Sequence, residues 1–289
     1  MLDVRRLRLL CDLARLGTIA AVATAHTYTP SAVSQQLSAL EREAGLPLLE
    51  RTGRRVALTA AGRLLVQHAE TVLAALEQTG AALAAARAGL SGELRIGAFP
   101  SAIRTLLTPA LITLADRHAA LDLQLTELDP AEVPAALRDR RLDVGLLQDY
   151  DVVPLETGPG LESVPLLDET VHLAVAAESG VSGLSDVSGA GWILASPGTL
   201  CHTATLRLCE TAGFTPRARH RVDDFDTVLA LVAAGQGVAL VPQLATDRLP
   251  PGVRLLPLPT RRRTRVAFRS GAAGHPAVRA FVDALPPLI

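Results

Sequence analysis

The chain has 289 residues, 49% hydrophobic and 20% charged, enough apolar length for two packed domains and too much for a disordered chain. Its formal net charge of −1 excludes a uniformly basic nucleic-acid coat protein. The balance is uneven: residues 1–90 hold ten Arg against seven Asp and Glu, a net of +3, and the remainder eighteen against twenty-two, a net of −4. Every Lys/Arg position is Arg and Asn is absent, a bias toward GC-rich codons that takes weight away from any argument by arginine count.

Three cysteines, Cys11, Cys201 and Cys209, lie far apart with no C-x-x-C, which argues against a disulfide framework or a zinc ribbon. Asp3, Asp12 and Arg15 interrupt the start, so it has no signal-peptide core. The uncharged window Thr227 to Thr246 is broken by Gly235, Gln236, Gly237 and Pro242 and reads as a helix followed by a strand, not a membrane span. The expectation is a soluble, cytoplasmic protein without membrane contact.

Three short helices come first. Asp3 can cap a helix carrying Val4, Leu7, Leu10, Cys11 and Leu13, which Gly17 stops. Thr18 can cap a second from Ile19 to about Ala25, with His26-Thr27-Tyr28 as the turn. Thr29 then caps a third, with Pro30 at its first position, Val33, Leu37 and Leu40 on one face and Gly45 at its end. Two short strands, Leu48 to Arg51 and Arg54 to Leu58, meet at Thr52-Gly53. Thr59 caps a long helix to about Leu90, whose Leu65, Ala69, Val72, Leu76, Thr79, Leu83, Ala86 and Leu90 form a heptad seam. Leu65, Val72, Leu76 and Leu83 are its expected dimerisation residues.

From Glu93 the pattern becomes strand–helix alternation. Expected strands are Leu94 to Ala98, Leu121 to Leu128, Asp143 to Leu147, Thr170 to Ala176, Trp192 to Ala195, Arg219 to Val222, Gly237 to Val241 and Arg265 to Arg269. Expected helices are Ala102 to Arg117, Pro130 to Arg141, Thr203 to Ala212, Phe225 to Ala234 and Pro276 to Leu285. Two such sets imply two α/β lobes with a cleft between them.

The first chemical signal is a helix–turn–helix whose third helix begins with small polar residues, the geometry that enters a DNA major groove. Ser31, Ser34, Gln35 and Ser38 lie opposite the apolar face, where amide and hydroxyl groups could meet base edges or phosphates. Arg51, Arg54 and Arg55 sit on the following hairpin, where a wing would meet the backbone.

The stretch Leu2 to Gly62 resembles the LysR-type transcriptional regulators. It carries Leu13-Ala14-Arg15-Leu16-Gly17-Thr18, Ser31-Ala32-Val33-Ser34-Gln35-Gln36-Leu37, Leu40-Glu41-Arg42-Glu43-Ala44-Gly45, Leu48-Leu49-Glu50-Arg51 and Thr59-Ala60-Ala61-Gly62. The resemblance implies an amino-terminal all-α winged helix–turn–helix with a long linker helix. It further implies an α/β two-lobed, periplasmic-binding-protein-like effector domain. By the same resemblance Pro30, Ser31, Ser34, Gln35 and Arg54 lie at DNA-contacting positions, to which Thr29, Ser38, Arg51 and Arg55 are added from their placement. The chain departs from the family pattern at His26, Pro30 and Leu49, where many members have Leu, Gln and Phe.

In the α/β part, Phe99-Pro100-Ser101 and Ser196-Pro197-Gly198-Thr199 are strand-to-helix loops, and Asp224 lies at a third such junction. Helix starts offer free N–H groups, which suits an anion, so a small carboxylate effector is the expectation. Plain helix capping is the competing reading for all three. Cys201-His202 and Cys209 have the wrong helical spacing for a three-ligand metal site, and Arg261 to Arg263 reads as a solvated hinge edge. Gly235-Gln236-Gly237 lies between a helix and a following strand, the wrong order for a dinucleotide fingerprint. No P-loop, H-E-x-x-H or G-x-S-x-G occurs.

These readings combine into a non-enzymatic, cofactor-free regulator of double-stranded DNA that answers to a small effector and forms a homodimer or tetramer. An α/β enzyme with a fused helix–turn–helix is the alternative. The expected division is 1–58 for the DNA-binding domain, 59–90 for the linker helix and 91–289 for the effector domain. Within the last, 92–164 with 266–289 would form one lobe and 165–265 the other, the chain crossing near Val164 to Leu166 and Thr260 to Arg265.

Overall fold

The computed structural model describes residues 1–52, 55–86, 89–155 and 157–286. Helix α1 (Val4–Leu16) starts where the Asp3 carboxylate accepts from the N–H groups of Arg5 and Arg6, and ends at Gly17 with φ 73°. Helix α2 (Ile19–Ala25) is capped by Thr18, and α3 (Pro30–Ala44) by Thr29 with Pro30 in its first turn. The turn between them holds Thr27 at φ 56°. A β-branched residue in this left-handed region costs about 1–3 kcal/mol, held here by the Tyr28 N–H bond to the Ala23 carbonyl. Leu7, Leu10, Leu13, Val22, Val33, Leu37 and Leu40 form the core of this small bundle.

Strands β1 (Leu49–Thr52) and β2 (Arg55–Leu58) pair as a hairpin, and α4 (Ala60–Ala85) follows directly. Thr59 caps α4 through the Gly62 N–H at 3.0 Å, while its own N–H bonds the Leu48 carbonyl. A Cβ on Gly62 would stand 2.2 Å from that carbonyl oxygen, so the first turn of α4 docks on Leu48 only with glycine there.

The seam expected along α4 is shorter than its sequence pattern. Leu65 packs against the helix–turn–helix core, because the first turns of α4 lie on α1, and is partly buried in the single chain. The helix ends at Ala85, not Leu90, and Leu90 packs against the α/β core. Val72, Leu76 and Leu83 remain 43, 48 and 65% exposed in the single chain.

The α/β part is built on a six-stranded sheet of order β4-β3-β5-β10-β6-β9. Strands β3 (Gly92–Ala98), β4 (Leu121–Glu127) and β5 (Val144–Tyr150) belong to the first half, where β3 pairs parallel to both neighbours. Strands β6 (Leu161–Ala176) and β10 (Val253–Arg269) run antiparallel along their whole length and pass through both halves. The second half adds β9 (Ala239–Pro242) and the parallel pair β7 (Gly191–Leu194) and β8 (Arg217–Arg221), joined by a Trp192–Val238 bridge. Its helices are α8 (Leu200–Thr211) and α9 (Phe225–Ala233). One core gathers around Ile96, Leu107, Leu146, Phe268 and Phe281, and two more around Trp192 and Leu229.

The two long strands exceed the expected segments because prolines demote a strand in a sequence reading. Here the register shifts fall beside them, between Pro257 and Arg261 and, on the facing strand, between Leu167 and Pro165. At the first, residues 258–260 face only Val171, and at the second Leu166 is left without a partner, so regular pairing breaks beside the prolines. The first helix of this part also starts earlier than expected. Pro100–Ala102 (α5) leads through a π-turn at Ile103–Leu107 into α6 (Thr108–Arg117). The helix expected from Pro130 to Arg141 is confined to α7 (Val133–Arg138), and Arg140 lies at φ 58°.

The α/β part rests on α4. A Cβ on Gly271, at φ 86°, would come within 2.2 Å of the Ala74 carbonyl oxygen, and Arg269 pairs with both Glu77 of α4 and Asp143. Arg140 pairs with the same Glu77. Backbone contact and paired charge thus join the first half to α4.

Candidate functional site

Two surfaces carry the expected site residues. On α3, Thr29, Pro30, Ser31, Gln35 and Ser38 are exposed and Ser34 is half-buried, opposite the buried Val33, Leu37 and Leu40. Not all are equally available. The Thr29 hydroxyl accepts from the Ala32 N–H at 3.2 Å and bonds Ser31 at 3.0 Å, so its first duty is the cap. Gln36 accepts from Arg6 Nε at 2.9 Å, and Arg6 pairs with Glu43, which pins α1 to α3. Arg51 and Arg55 lie on β1 and β2, and Arg54 lies outside the described residues.

His26 makes its contact within the helix–turn–helix. Its Nε2 lies 2.7 Å from Asp12 Oδ2, and the other Asp12 oxygen accepts from Arg15 at 2.8 Å. Asp12 is almost fully buried on α1. The departure from the family pattern at residue 26 thus comes with its own hydrogen-bond partner, Asp12, 14 residues away, which no local spacing in the sequence could reveal.

The second surface is a cavity of about 500 Å³ between the two halves of the α/β part. Phe99, Pro100 and Ser101 line it from the first half, and Thr199 and Asp224 from the second. Ser196, Pro197 and Gly198, expected beside them, do not line it. Ser196 acts one step behind the wall. Its N–H and hydroxyl donate to the two oxygens of Asp223 at 2.7 and 2.6 Å, and Asp223 faces the cavity. Thr199 and Asp224 combine lining with capping: Thr199 Oγ1 accepts from the His202 N–H at 3.2 Å, and Asp224 accepts from Thr227 N and Oγ1 at 2.9 and 2.6 Å. Those Thr227 bonds hold the Asp224 carboxyl below the usual carboxylate range. Ser101 is 5% exposed and its Oγ has no hydrogen-bond partner.

The sequence reading missed the deepest part of this wall. Arg261, Arg262 and Arg263 are not all a solvated edge. In an extended strand side chains alternate faces, so the outer two point to water and the middle one inward. Arg261 and Arg263 pair with Asp168 and Asp151 at the surface. Arg262 is fully buried: its Nε donates to Glu169 Oε1 at 2.7 Å and its Nη1 to Gln148 Oε1 at 3.1 Å, and its guanidinium lies 5.1 Å from the Phe99 ring centre. Glu169 is itself 2% exposed and accepts from the Leu244 N–H. Arg104, from the π-turn, lines the cavity and pairs across it with Asp226 and with Asp247 at 2.9 Å.

Cys201 also reaches the cavity, with its Sγ 3.1 Å from the Tyr150 hydroxyl and 3.6 Å from Gln148 Nε2. Burial pushes the Tyr150 hydroxyl well above its ordinary value, so it stays protonated and able to donate to the sulfur. Cys209 is fully buried in the second half, and burial pushes its thiol up to about 12. Among the described residues no cluster of three His, Cys, Asp or Glu could hold a metal ion, and no helix is long and apolar enough to cross a membrane.

Residues 4–63 match the family described as bacterial regulatory helix-turn-helix protein, lysR family, and residues 87–287 match the LysR substrate binding domain. A probable hydrogen peroxide-inducible genes activator from Streptomyces viridosporus is 33% identical, over 93% of this chain and 92% of its own length. An OxyR mutant from Corynebacterium glutamicum superposes with a TM-score of 0.58 at 26% identity, covering 98% of this chain and 90% of that one. Full-length CbnR complexed with its target DNA superposes with a TM-score of 0.51 at 26% identity, covering 97% of this chain and all of that one.

Proposed function

The chain belongs to the LysR family of bacterial transcriptional regulators, and from that premise we propose how this DNA-binding, effector-responsive protein divides its work. Residues 1–58 bind operator DNA, 59–90 join two copies, and 91–289 read the signal. The observation that carries the DNA assignment is the exposed polar face of α3, set rigidly by the Thr29 cap and the Arg6 contacts. Ser34 and Gln35 meet base edges, and Ser31, Ser38, Arg51, Arg54 and Arg55 meet the backbone. Val72, Leu76 and Leu83, exposed on one chain, pack against a second α4 to set the half-site spacing. The α/β parts then assemble two dimers into a tetramer, acting on DNA in the cytoplasm without catalysis.

The regulatory step is a change in closure of the cavity. A ligand between Ser101 and Asp224 shifts the two halves only by its differential affinity for the two arrangements. The contacts at Gly271 and Glu77 pass that shift to α4. A gel-shift and footprinting series on DNA upstream of the gene tests the reading. Protection of two half-sites, lost on random DNA, is the expected result; equal binding to both sequences would overturn it.

A second signal is supported by Cys201 and by the names of the peroxide-inducible relatives. The Cys201 thiolate attacks one peroxide oxygen, the O–O bond breaks with loss of hydroxide, and the sulfur becomes a sulfenic acid. Cys209 cannot resolve it in the folded helix. Eight residues of α8 separate the two by about 12 Å, whereas a disulfide needs Cα atoms within about 7 Å. Dimedone trapping after peroxide treatment should label Cys201, and a Cys201–Cys209 disulfide in the native protein would rule this version out.

A further inference from the structure

The charge of the cavity wall points away from a carboxylate. Glu127 and Asp129, from the end of β4 and the loop after it, face the cavity together with Asp223 and Asp224. Against these four carboxylates stand two guanidiniums, each held in an ion pair, Arg262 with Glu169 and Arg104 with Asp226 and Asp247, with Arg262 Nη2 and Arg104 Nε left without a hydrogen bond. Glu127 makes no ion pair among the described residues. Asp129 gives one oxygen to the Ala131 N–H, and Asp223 spends its oxygens on the neutral donors of Ser196. Glu127, Asp223 and Asp224 are exposed and Arg104 offsets part of the Asp224 charge, so an anion entering here would meet an excess of like charge that solvent partly screens.

Two further features show that the wall is built for an organic molecule. Phe99, Leu128, Ile193, Val222, Phe225 and Leu240 supply an apolar lining, and about 500 Å³ falls within the range of small-molecule sites. Ser101, 95% buried by its 5% exposure, leaves its Oγ without any partner on that wall. A buried hydroxyl left unsatisfied is destabilising unless something arrives to bond it. The hydroxyl accepts from an ammonium as readily as it donates.

Resting on the reading of the cavity as the effector site, we infer that its ligand is an organic cation, an amine or amidine with an apolar body, and not a carboxylate. The apolar body lies among Phe99, Ile193 and Phe225. The cationic head is held by Glu127 and Asp129 from one half and Asp223 and Asp224 from the other, so that binding draws the halves together. Ser101 takes a hydrogen bond from the same head or from a polar group on the body.

Matched probes separate the charges. Tryptamine and indole-3-propionate, and phenethylamine and 3-phenylpropionate, differ chiefly in the sign of the terminal group. Calorimetry on the full-length protein at low salt should show each amine binding about tenfold or more tighter than its carboxylate partner. The Glu127→Gln, Asp129→Asn double variant should remove most of that preference, while Ser101→Leu should block both members of each pair. Ser101→Ala, a smaller change, should weaken the amines without filling the cavity. The inference is overturned by a carboxylate that binds as tightly as its amine, or by a preference that survives the double variant. It is equally overturned if both amines fail to bind below about 10 mM. Operator binding by the wild-type protein without probe, measured in parallel, reports on the regulator reading separately.

Discussion

The exposed face of α3 and the cavity of the α/β part both hold hydroxyl and amide groups ready for a ligand, and they reach that state by opposite routes. On α3 the groups sit on one fifteen-residue helix, with the cap and the buried face setting their direction. In the cavity they come from segments as distant in sequence as Phe99 and Arg262, and several wall residues are already bonded to their neighbours. The first surface is a rigid stamp whose side chains act one by one. The second is a network in which removing one member releases another, and that difference suits one to address reading and the other to switching.

Substitutions should separate the two behaviours. The largest effect is expected between the regions, on the helix that links them. Leu76→Asp places a charge in the exposed apolar stripe of α4, where two copies would bury it. Operator binding should be abolished, and sedimentation should show a smaller assembly; a wild-type sedimentation profile would remove α4 from the dimer. Next comes the buried network. Arg262→Leu leaves Glu169 charged, 2% exposed and unpaired, and breaking a buried pair from one side costs about 3–5 kcal/mol. Calorimetric melting should show the loss, and Glu169→Gln combined with Arg262→Leu should recover a large part of it. Purely additive losses would mean that the two side chains do not act as a unit.

On α3 the expectation reverses. Ser34→Ala and Gln35→Ala remove groups that hold nothing else in place, so melting should stay unchanged. Discrimination between operator and random DNA should fall by about 1–3 kcal/mol for each true base contact. A titration against both DNA sequences reads the difference directly. Equal losses on both would make these phosphate contacts instead.

The same contrast explains what could be read from the sequence. The helix–turn–helix is written in local signals, such as Asp3, Thr18, Thr29, Pro30 and Gly45, each of which acts within one turn. The α/β architecture followed from strand–helix alternation in the same local way. The cavity did not, beyond its helix-start residues. Arg262 is the middle of three consecutive arginines, and only the strand's two-residue period, which Pro257 and Pro259 obscure, shows which of the three points inward. Its partner Glu169 lies 93 residues away. Leu65 makes a related point: a heptad pattern gives a stripe on α4 but not which part of it α1 already partly covers. Ser196 was misplaced because a loop reading cannot tell the wall of a cavity from its support.

The smallest expected effect is also the one that separates capping from charge. Thr29 on α3 and Asp224 on α9 are both N-caps, and replacing such a residue by Ala costs about 0.5–2 kcal/mol. Thr29→Ala should therefore lower both stability and operator affinity, because its only described bonds hold the start of α3. Asp224 has a second task on the cavity wall, and Asn caps a helix about as well as Asp. Asp224→Asn should thus leave the melting temperature near that of the wild type at pH 7 while weakening amine binding. Acid should expose the difference in stability. Because Thr227 holds the Asp224 pKa below its unfolded value, its stabilising contribution is present above the unfolded value of about 3.9 and is lost as pH falls through the lower folded value. The wild type should lose that contribution on acidification and Asp224→Asn should not, so their melting temperatures, close at pH 7, should diverge below about pH 4 with the wild type the lower. Parallel curves through that range would mean that Asp224 caps α9 without a charge-dependent component.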